Sequence, residues 1–195
     1  MEILSLFLKW LSQYWPQAIG MGLVALIIRL ISLHLEHRRT LLKLREQESR
    51  CNRLLSEGKH AMWRAKNSPY MEEREEQAWI AIKKFSEALP YQQGKKEKAD
   101  TFIGIGEAYE MLGMLPDAES QYKEAVKLHP SHRKARLKLV DMQLGLFEDK
   151  EALENIKYLF HIYPDDEEIN WLYKRIASKV EGGEANRYAE EKMEL

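Results

Sequence analysis

Gly104 and Gly106, in the stretch "GIG" (104–106), raise the first chemical question, because closely spaced glycines can cradle a phosphate. Such a loop needs a strand before it and a third glycine. Here Tyr109 stands in the third place and the surrounding apolar residues recur at helical spacing, so a nucleotide site is excluded. The histidines form two pairs that could begin a metal site. His34 and His37 lie three apart with Glu36 between them, and His129 and His132 flank Pro130. Neither pair has a third and fourth ligand nearby, which a structural metal requires. The acidic run 165–168, "DDEE", opens a helix, where carboxylates favour the dipole without any catalytic role. Cys51 is the single cysteine. It excludes an internal disulfide and falls at an apolar helical position, as core filler does. No Ser-His-Asp or Cys-His arrangement has supporting context. The expectation is a chain that is not an enzyme and carries no cofactor or metal.

The elements that position these residues are helices. Phe102, Ile105, Gly106 and Tyr109 share one helical face, and Ala118, Tyr122 and Ala125 share the next. Gly113 supplies a turn between them, Pro116 and Asp117 suit the start of the second helix, and Pro130 ends it. Two helices so closely joined make an antiparallel hairpin. The pattern then returns at one constant interval: Ile105 is followed by Leu139, Ala118 by Ala152, and Pro130 by Pro164. Upstream, Ala81, Phe85 and Ala88 match the second helix of a hairpin, and Leu55, Gly58, Met62 and Trp63 match its first. "NSPYMEEREEQ" (67–77) and "PYQQGKKEKAD" (90–100) read as stretched links. Downstream, Ile169, Leu172, Tyr173 and Ile176 mark an amphipathic closing helix.

The run from Phe102 to Pro130, aromatic-x2-I-G-x2-Y…A-x3-Y-x2-A…P, resembles a tetratricopeptide repeat (TPR) at nearly every signature position, and the interval matches the length of that repeat. The next unit departs from the pattern, with Val140 in place of glycine and Gln143 in place of tyrosine. The resemblance implies about three hairpins and a cap, stacked as a solenoid because one hairpin cannot bury its own apolar face. It also implies a concave surface lined by the first helix of each repeat. On this sequence those positions are Asp100, Ile103, Glu107, Glu110 and Met111, then Lys134, Leu137, Asp141 and Leu144, with Leu55, Lys59 and Met62 as equivalents in the irregular first unit. Chaperone-tail receptors of this family carry a basic clamp where Ile103 and Glu107 stand here, so a carboxylate tail is disfavoured. The apolar and acidic lining suits a protein partner with a Lys/Arg-bearing amphipathic or extended segment. The competing reading is that these residues only cover the inner helices.

Composition agrees with an all-α chain: 195 residues, 45% apolar and 31% charged, with net charge −1. That balance argues against nucleic acid. The first forty residues suggest a bilayer. Residues 18–35 are apolar except Arg29, Ser32 and His34, which gives about −3 to −6 kcal/mol for insertion against about 2.5–3.5 kcal/mol for the arginine. Trp10 and Trp15 would anchor one interface; Arg29, Arg38 and Arg39 would anchor the other. The excess of positive charge after the span places the repeats on the cytosolic side and the N-terminus outside. The rival is a helix lying in the interface, since residues 1–15 are amphipathic. A weak heptad through Leu41, Leu44, Cys51 and Leu55 leaves open a homodimer through the 36–66 helix.

The expected fold is therefore all-α: an N-terminal transmembrane helix, a short TPR-type helical-hairpin solenoid and a C-terminal capping helix. Its segments are an amphipathic stretch (1–15), the span (16–35), a basic juxtamembrane helix (36–50), the array (51–180) and a polar tail (181–195). Within the array come an irregular repeat (51–98), two repeats (99–132 and 133–166) and the cap (167–180). The expected function is a membrane-anchored scaffold that recruits or assembles components of a membrane complex through its groove. The alternative is a permanent structural subunit of such a complex, with Trp79 and Trp171 on its outer face.

Overall fold

A computed structural model describes residues 2–193, with side chains for Ser5, Lys9, Gln13, Leu26 and 28–182. The elements are α1 (Glu2–Asn67), α2 (Met71–Ala88), a 3₁₀ turn (Leu89–Tyr91), α3 (Lys95–Met111), α4 (Leu115–Leu128), α5 (Arg133–Gly145), α6 (Asp149–Ile162) and α7 (Glu167–Met193). The chain divides into two units, Met1–Gln47 and Glu48–Leu195.

In the first unit the described side chains from 28 to 47 are all exposed. Among the described residues no helix is long and apolar enough to cross a membrane. This overturns the transmembrane helix, the anchoring roles of Arg29, Arg38 and Arg39, and the membrane topology built on them. The physical reason is length. A span needs about 20 mostly apolar residues, but Arg29, Ser32 and His34 interrupt the stretch after Leu26, and Glu36, His37, Arg38 and Arg39 then end it. Trp10, Trp15 and residues 16–25 lie outside the described side chains.

The second unit is a stack of helical hairpins. The α3–α4 and α5–α6 pairs repeat with the expected period: Leu115 and Asp149 open α4 and α6 at equivalent places, and Leu128 and Ile162 close them. Both first helices end in the same turn, in which the amide three residues past the helix bonds back to a carbonyl five residues earlier. Met114 N donates to Tyr109 O at 3.0 Å, and Glu148 N donates to Gln143 O at 2.8 Å. The residue at the crest has positive φ in each, Gly113 at 71° and Phe147 at 63°. Glycine adopts that conformation at no steric cost, and phenylalanine does not.

The stretched links are shorter than the sequence suggests. Only residues 68–70 separate α1 from α2, because "MEEREEQ" is helical, with Glu72 and Glu73 in the favoured first turn. The second link shortens to residues 89–94, because α3 already begins at Lys95, and a 3₁₀ turn takes Leu89–Tyr91 of what remains. The first hairpin's opening helix is the end of α1 itself.

Buried residues form a continuous series from hairpin to hairpin. Ala61, Met62, Ala78, Ala81, Ile82 and Phe85 meet Ile105 and Ala108. Ala118, Tyr122 and Ala125 meet Ile103, Ala135 and Leu139. Val140 meets Ala152, Ile156 and Leu159 along with Ile169 and Ile176 of α7. A Cβ on Gly106 would lie 2.6 Å from the Tyr122 ring, so glycine is required where tyrosine packs. One repeat later Val140 faces Ile156, and the smaller partner leaves room for the larger residue. Gln143, in place of Tyr109, is 2% exposed. It accepts from Asn155 Nδ2 at 2.9 Å, while Asn155 Oδ1 accepts from Arg136 Nη1 at 2.7 Å. A buried polar chain thus replaces the aromatic packing of the preceding repeat.

Candidate binding pocket

The second unit contains a concave pocket of about 550 Å³. The last turns of α1 supply Leu55, Lys59, Met62, Trp63 and Lys66, and α2 supplies Phe85. Gln92 enters from the link. From α3 come Glu97, Asp100, Thr101, Ile103, Gly104 and Glu107, and from α5 comes Lys134. Leu55, Met62, Phe85 and Ile103 give it apolar walls. Gly104 keeps it open against Phe85, because a Cβ there would sit 3.0 Å from the ring. The "GIG" glycines therefore make room for Phe85 and Tyr122.

Charge is arranged in closed pairs. Glu107 lies between two lysines, Lys134 Nζ at 2.5 Å and Lys66 Nζ at 3.4 Å, joining α1, α3 and α5. Burial raises its pKa, but Lys134 and then Lys66 outweigh this and hold it below the ordinary glutamate value. Glu110 accepts from the Tyr122 hydroxyl and from Lys138 Nζ, the latter at 2.9 Å. His132 caps α5, its Nδ1 accepting from Ala135 N at 3.3 Å. That tautomer leaves Nε2 to donate to Asp100 Oδ1 at 2.9 Å. Asp141 is exposed, although neighbouring protein crowds its carboxyl. That crowding, with Glu110 and Glu168 nearby, holds its pKa above the ordinary aspartate value despite Lys138. Lys59 is exposed and has no ionic partner among the described residues.

Of the groove positions expected from the sequence, Asp100, Ile103, Glu107 and Lys134 line this pocket together with Leu55, Lys59 and Met62. Glu110, Met111, Leu137, Asp141 and Leu144 do not. Ile103 is also a core residue at 3% exposure. Met111 packs on the α1–α2 core, and Leu137 and Leu144 pack on the α6–α7 core. Sequence reasoning missed Trp63, Lys66, Phe85, Gln92, Glu97, Thr101 and Gly104. Trp63 and Lys66 were within reach, since they continue the face of Lys59 and Met62 at helical spacing. Glu97, Thr101 and Gly104 likewise share the α3 face of Asp100 and Glu107, whereas Gln92 depends on the path of the link, which no periodicity reports.

The other residues singled out have structural roles or stay exposed. Asp166 caps α7, its Oδ1 accepting from Glu168 N and Ile169 N at 3.1 and 3.2 Å. Its Oδ2 accepts from Arg133 Nε at 2.9 Å. Cys51 is buried with Leu54 and Ala88, and burial pushes its thiol pKa up. With Cys51 and Leu55 packed within their own chain, Leu41 and Leu44 are the exposed part of the heptad. His34 and His37 are exposed on α1. Among the described residues no three His, Cys, Asp or Glu side chains are grouped as metal ligands are.

No family model matches the sequence, and no curated protein matches it. Solved structures do resemble the fold. The first TPR domain of Spaghetti (RPAP3), bound to the HSP90 peptide SRMEEVD, is 17% identical with a TM-score of 0.52, covering 68% of this chain and 96% of that one. The Sgt2 TPR domain from Aspergillus fumigatus is 21% identical with a TM-score of 0.53, covering 70% and 82%. The Arabidopsis OM64 TPR domain is 17% identical with a TM-score of 0.52, covering 68% and 98%. At such identities the likeness is one of fold: an all-α, TPR-like helical solenoid.

Proposed function

We propose that this chain is a protein-interaction scaffold that holds an extended segment of a partner in the pocket between α1, α3 and α5. The observation that carries this reading is the pocket's build, with apolar walls at Leu55, Met62 and Ile103 and charged groups at its rim. A concave site that combines apolar walls with placed polar groups is the usual form of a ligand site. The Spaghetti domain of like fold is bound to a peptide, which supports the same use here.

The acids that would draw a Lys/Arg-bearing segment are largely engaged. Asp100 is bonded to His132, Glu107 to Lys66 and Lys134, and Glu110 to Lys138. A basic residue of the partner is best placed beside Glu97, an apolar one against Leu55 and Met62, and an acidic one beside Lys59. Trp63, 62% exposed, stands at the rim as a stacking surface that contributes little to the core.

A library of displayed peptide segments panned on the full chain tests this. Enriched segments would then be titrated calorimetrically into wild type, Trp63→Ala and Lys59→Glu, with equal helical circular dichroism as the control for folding. Affinity should fall about tenfold in Trp63→Ala, the loss expected for an aromatic anchor, and change with the ligand's charge in Lys59→Glu. Equal binding to all three proteins sinks the pocket reading.

A further inference from the structure

The turn between α5 and α6 carries a residue that neither backbone nor packing explains. Phe147 occupies the crest that Gly113 occupies one repeat earlier, in the same hydrogen-bonded turn and with the same positive φ. A Cβ is disfavoured in that conformation, and glycine would relieve it. The ring gains nothing from the core in return, since it is 85% exposed. Strain retained without internal benefit points to an external contact.

Phe147 has company at the same end of the stack. In a run of antiparallel helices every turn from an odd to an even helix falls on one edge, so the tips at 68–70, 112–114 and 146–148 share it. Tyr70 and Met71 are 71% and 66% exposed at the first tip, beside a depression of about 610 Å³ that also involves Glu72, Glu73 and Glu76. The edge is acidic. Residues 70–76 hold four glutamates against Arg74; 113–119 hold Asp117 and Glu119 with no base; 147–151 hold three acids against Lys150. Glu73, Glu119 and Asp149 have internal partners in Arg64, Lys123 and Lys179, and Glu148 contacts Glu119; Glu72, Glu75, Glu76, Asp117 and Glu151 are exposed.

We propose that this edge is a second docking surface, which takes a basic amphipathic helix of a partner protein, with Phe147 and the Tyr70–Met71 pair as apolar anchors. Charge complementarity selects that occupant: apolar side chains separated by carboxylates match leucines separated by lysines or arginines. The outer tips are on the order of 20 Å apart at ordinary helix spacing, a distance that about 13 helical residues cover. The surface is distinct from the α1–α3–α5 pocket, so either can hold without the other.

The probe is a labelled synthetic helix of about 18 residues, with leucines along one face and lysines and arginines elsewhere. A second version has glutamates in place of its cations. Both are titrated by fluorescence anisotropy against the full chain, Phe147→Gly and Glu72→Lys/Glu76→Lys. The proposal expects the basic helix alone to bind, with Kd rising about tenfold in each variant. Phe147→Gly should meanwhile melt at a higher temperature, which separates lost contact from lost folding. Unchanged affinity in Phe147→Gly, or equal binding of both helices, overturns the proposal. So would concentration-dependent dimers of the chain alone that vanish in Glu72→Lys/Glu76→Lys, which would assign the edge to a second copy.

Discussion

At the scale of single residues, charge placement governs what can be altered. Glu107→Ala would leave Lys66 and Lys134 facing each other without their shared carboxylate. Both lysines reach water, with 56% and 59% of their side-chain surface exposed, so the cost should be about 1 kcal/mol in urea unfolding. Its pH course follows from the lowered Glu107 pKa. The stabilisation is complete above the unfolded glutamate pKa and is lost as pH falls through the lower folded value. Asp141 has the opposite sign. Its folded pKa is raised, so ionisation opposes folding, and the penalty is full above the folded pKa and absent below the unfolded one. Asp141→Asn should therefore raise the melting temperature at pH 7 and leave it unchanged near pH 3, which thermal scans at the two pH values would check. Little of this was legible in the sequence. Glu107, Glu110 and Asp100 read as a free acidic lining because their partners Lys66, Lys134, Lys138 and His132 lie on other helices or at their ends, far away along the chain.

At the scale of elements, the two regular hairpins solve one packing problem in two ways. The first pairs Gly106 with Tyr122 and the second pairs Val140 with Ile156. Gly106→Val alone should cost about 1–3 kcal/mol, because the Tyr122 ring occupies the space the side chain needs. Tyr122→Ile alone should also destabilise, through lost volume and the lost hydrogen bond to Glu110. Together they reproduce the second repeat's pairing, so a double-mutant cycle should give a favourable coupling of about 1 kcal/mol or more. Additive losses would show that the two pairings are independent. This substitution pattern could be read from the sequence, since Val140 stands out against the repeat. The compensating Ile156 could be found by stepping one repeat length on from Tyr122.

At the scale of the whole molecule, the buried clusters among the described residues are all built from Cys51 onward. A fragment of residues 48–195 should thus unfold cooperatively, with a melting temperature within about 3 °C of the full chain's, a difference worth about 1 kcal/mol at this size. Differential scanning calorimetry of both proteins checks it. A fragment lacking cooperative melting would show that residues 1–47 contribute to the core.

The sequence by itself determined the all-α, TPR-like solenoid, because helical periodicity, a constant repeat interval and small residues at close approaches are local properties of the chain. It pointed to a groove for the same reason, since the first helices of successive repeats must share a face. It misjudged the membrane span, where summed hydropathy outweighed the interruption of the apolar stretch by charge. Tertiary structure alone determined where the pocket closes, since Phe85, Gln92 and Lys66 reach it from three different segments. Structure also decided which acids are neutralised and that Phe147 stands strained and exposed. Those features depend on distances between residues far apart along the chain, and a linear pattern carries no measure of such distances.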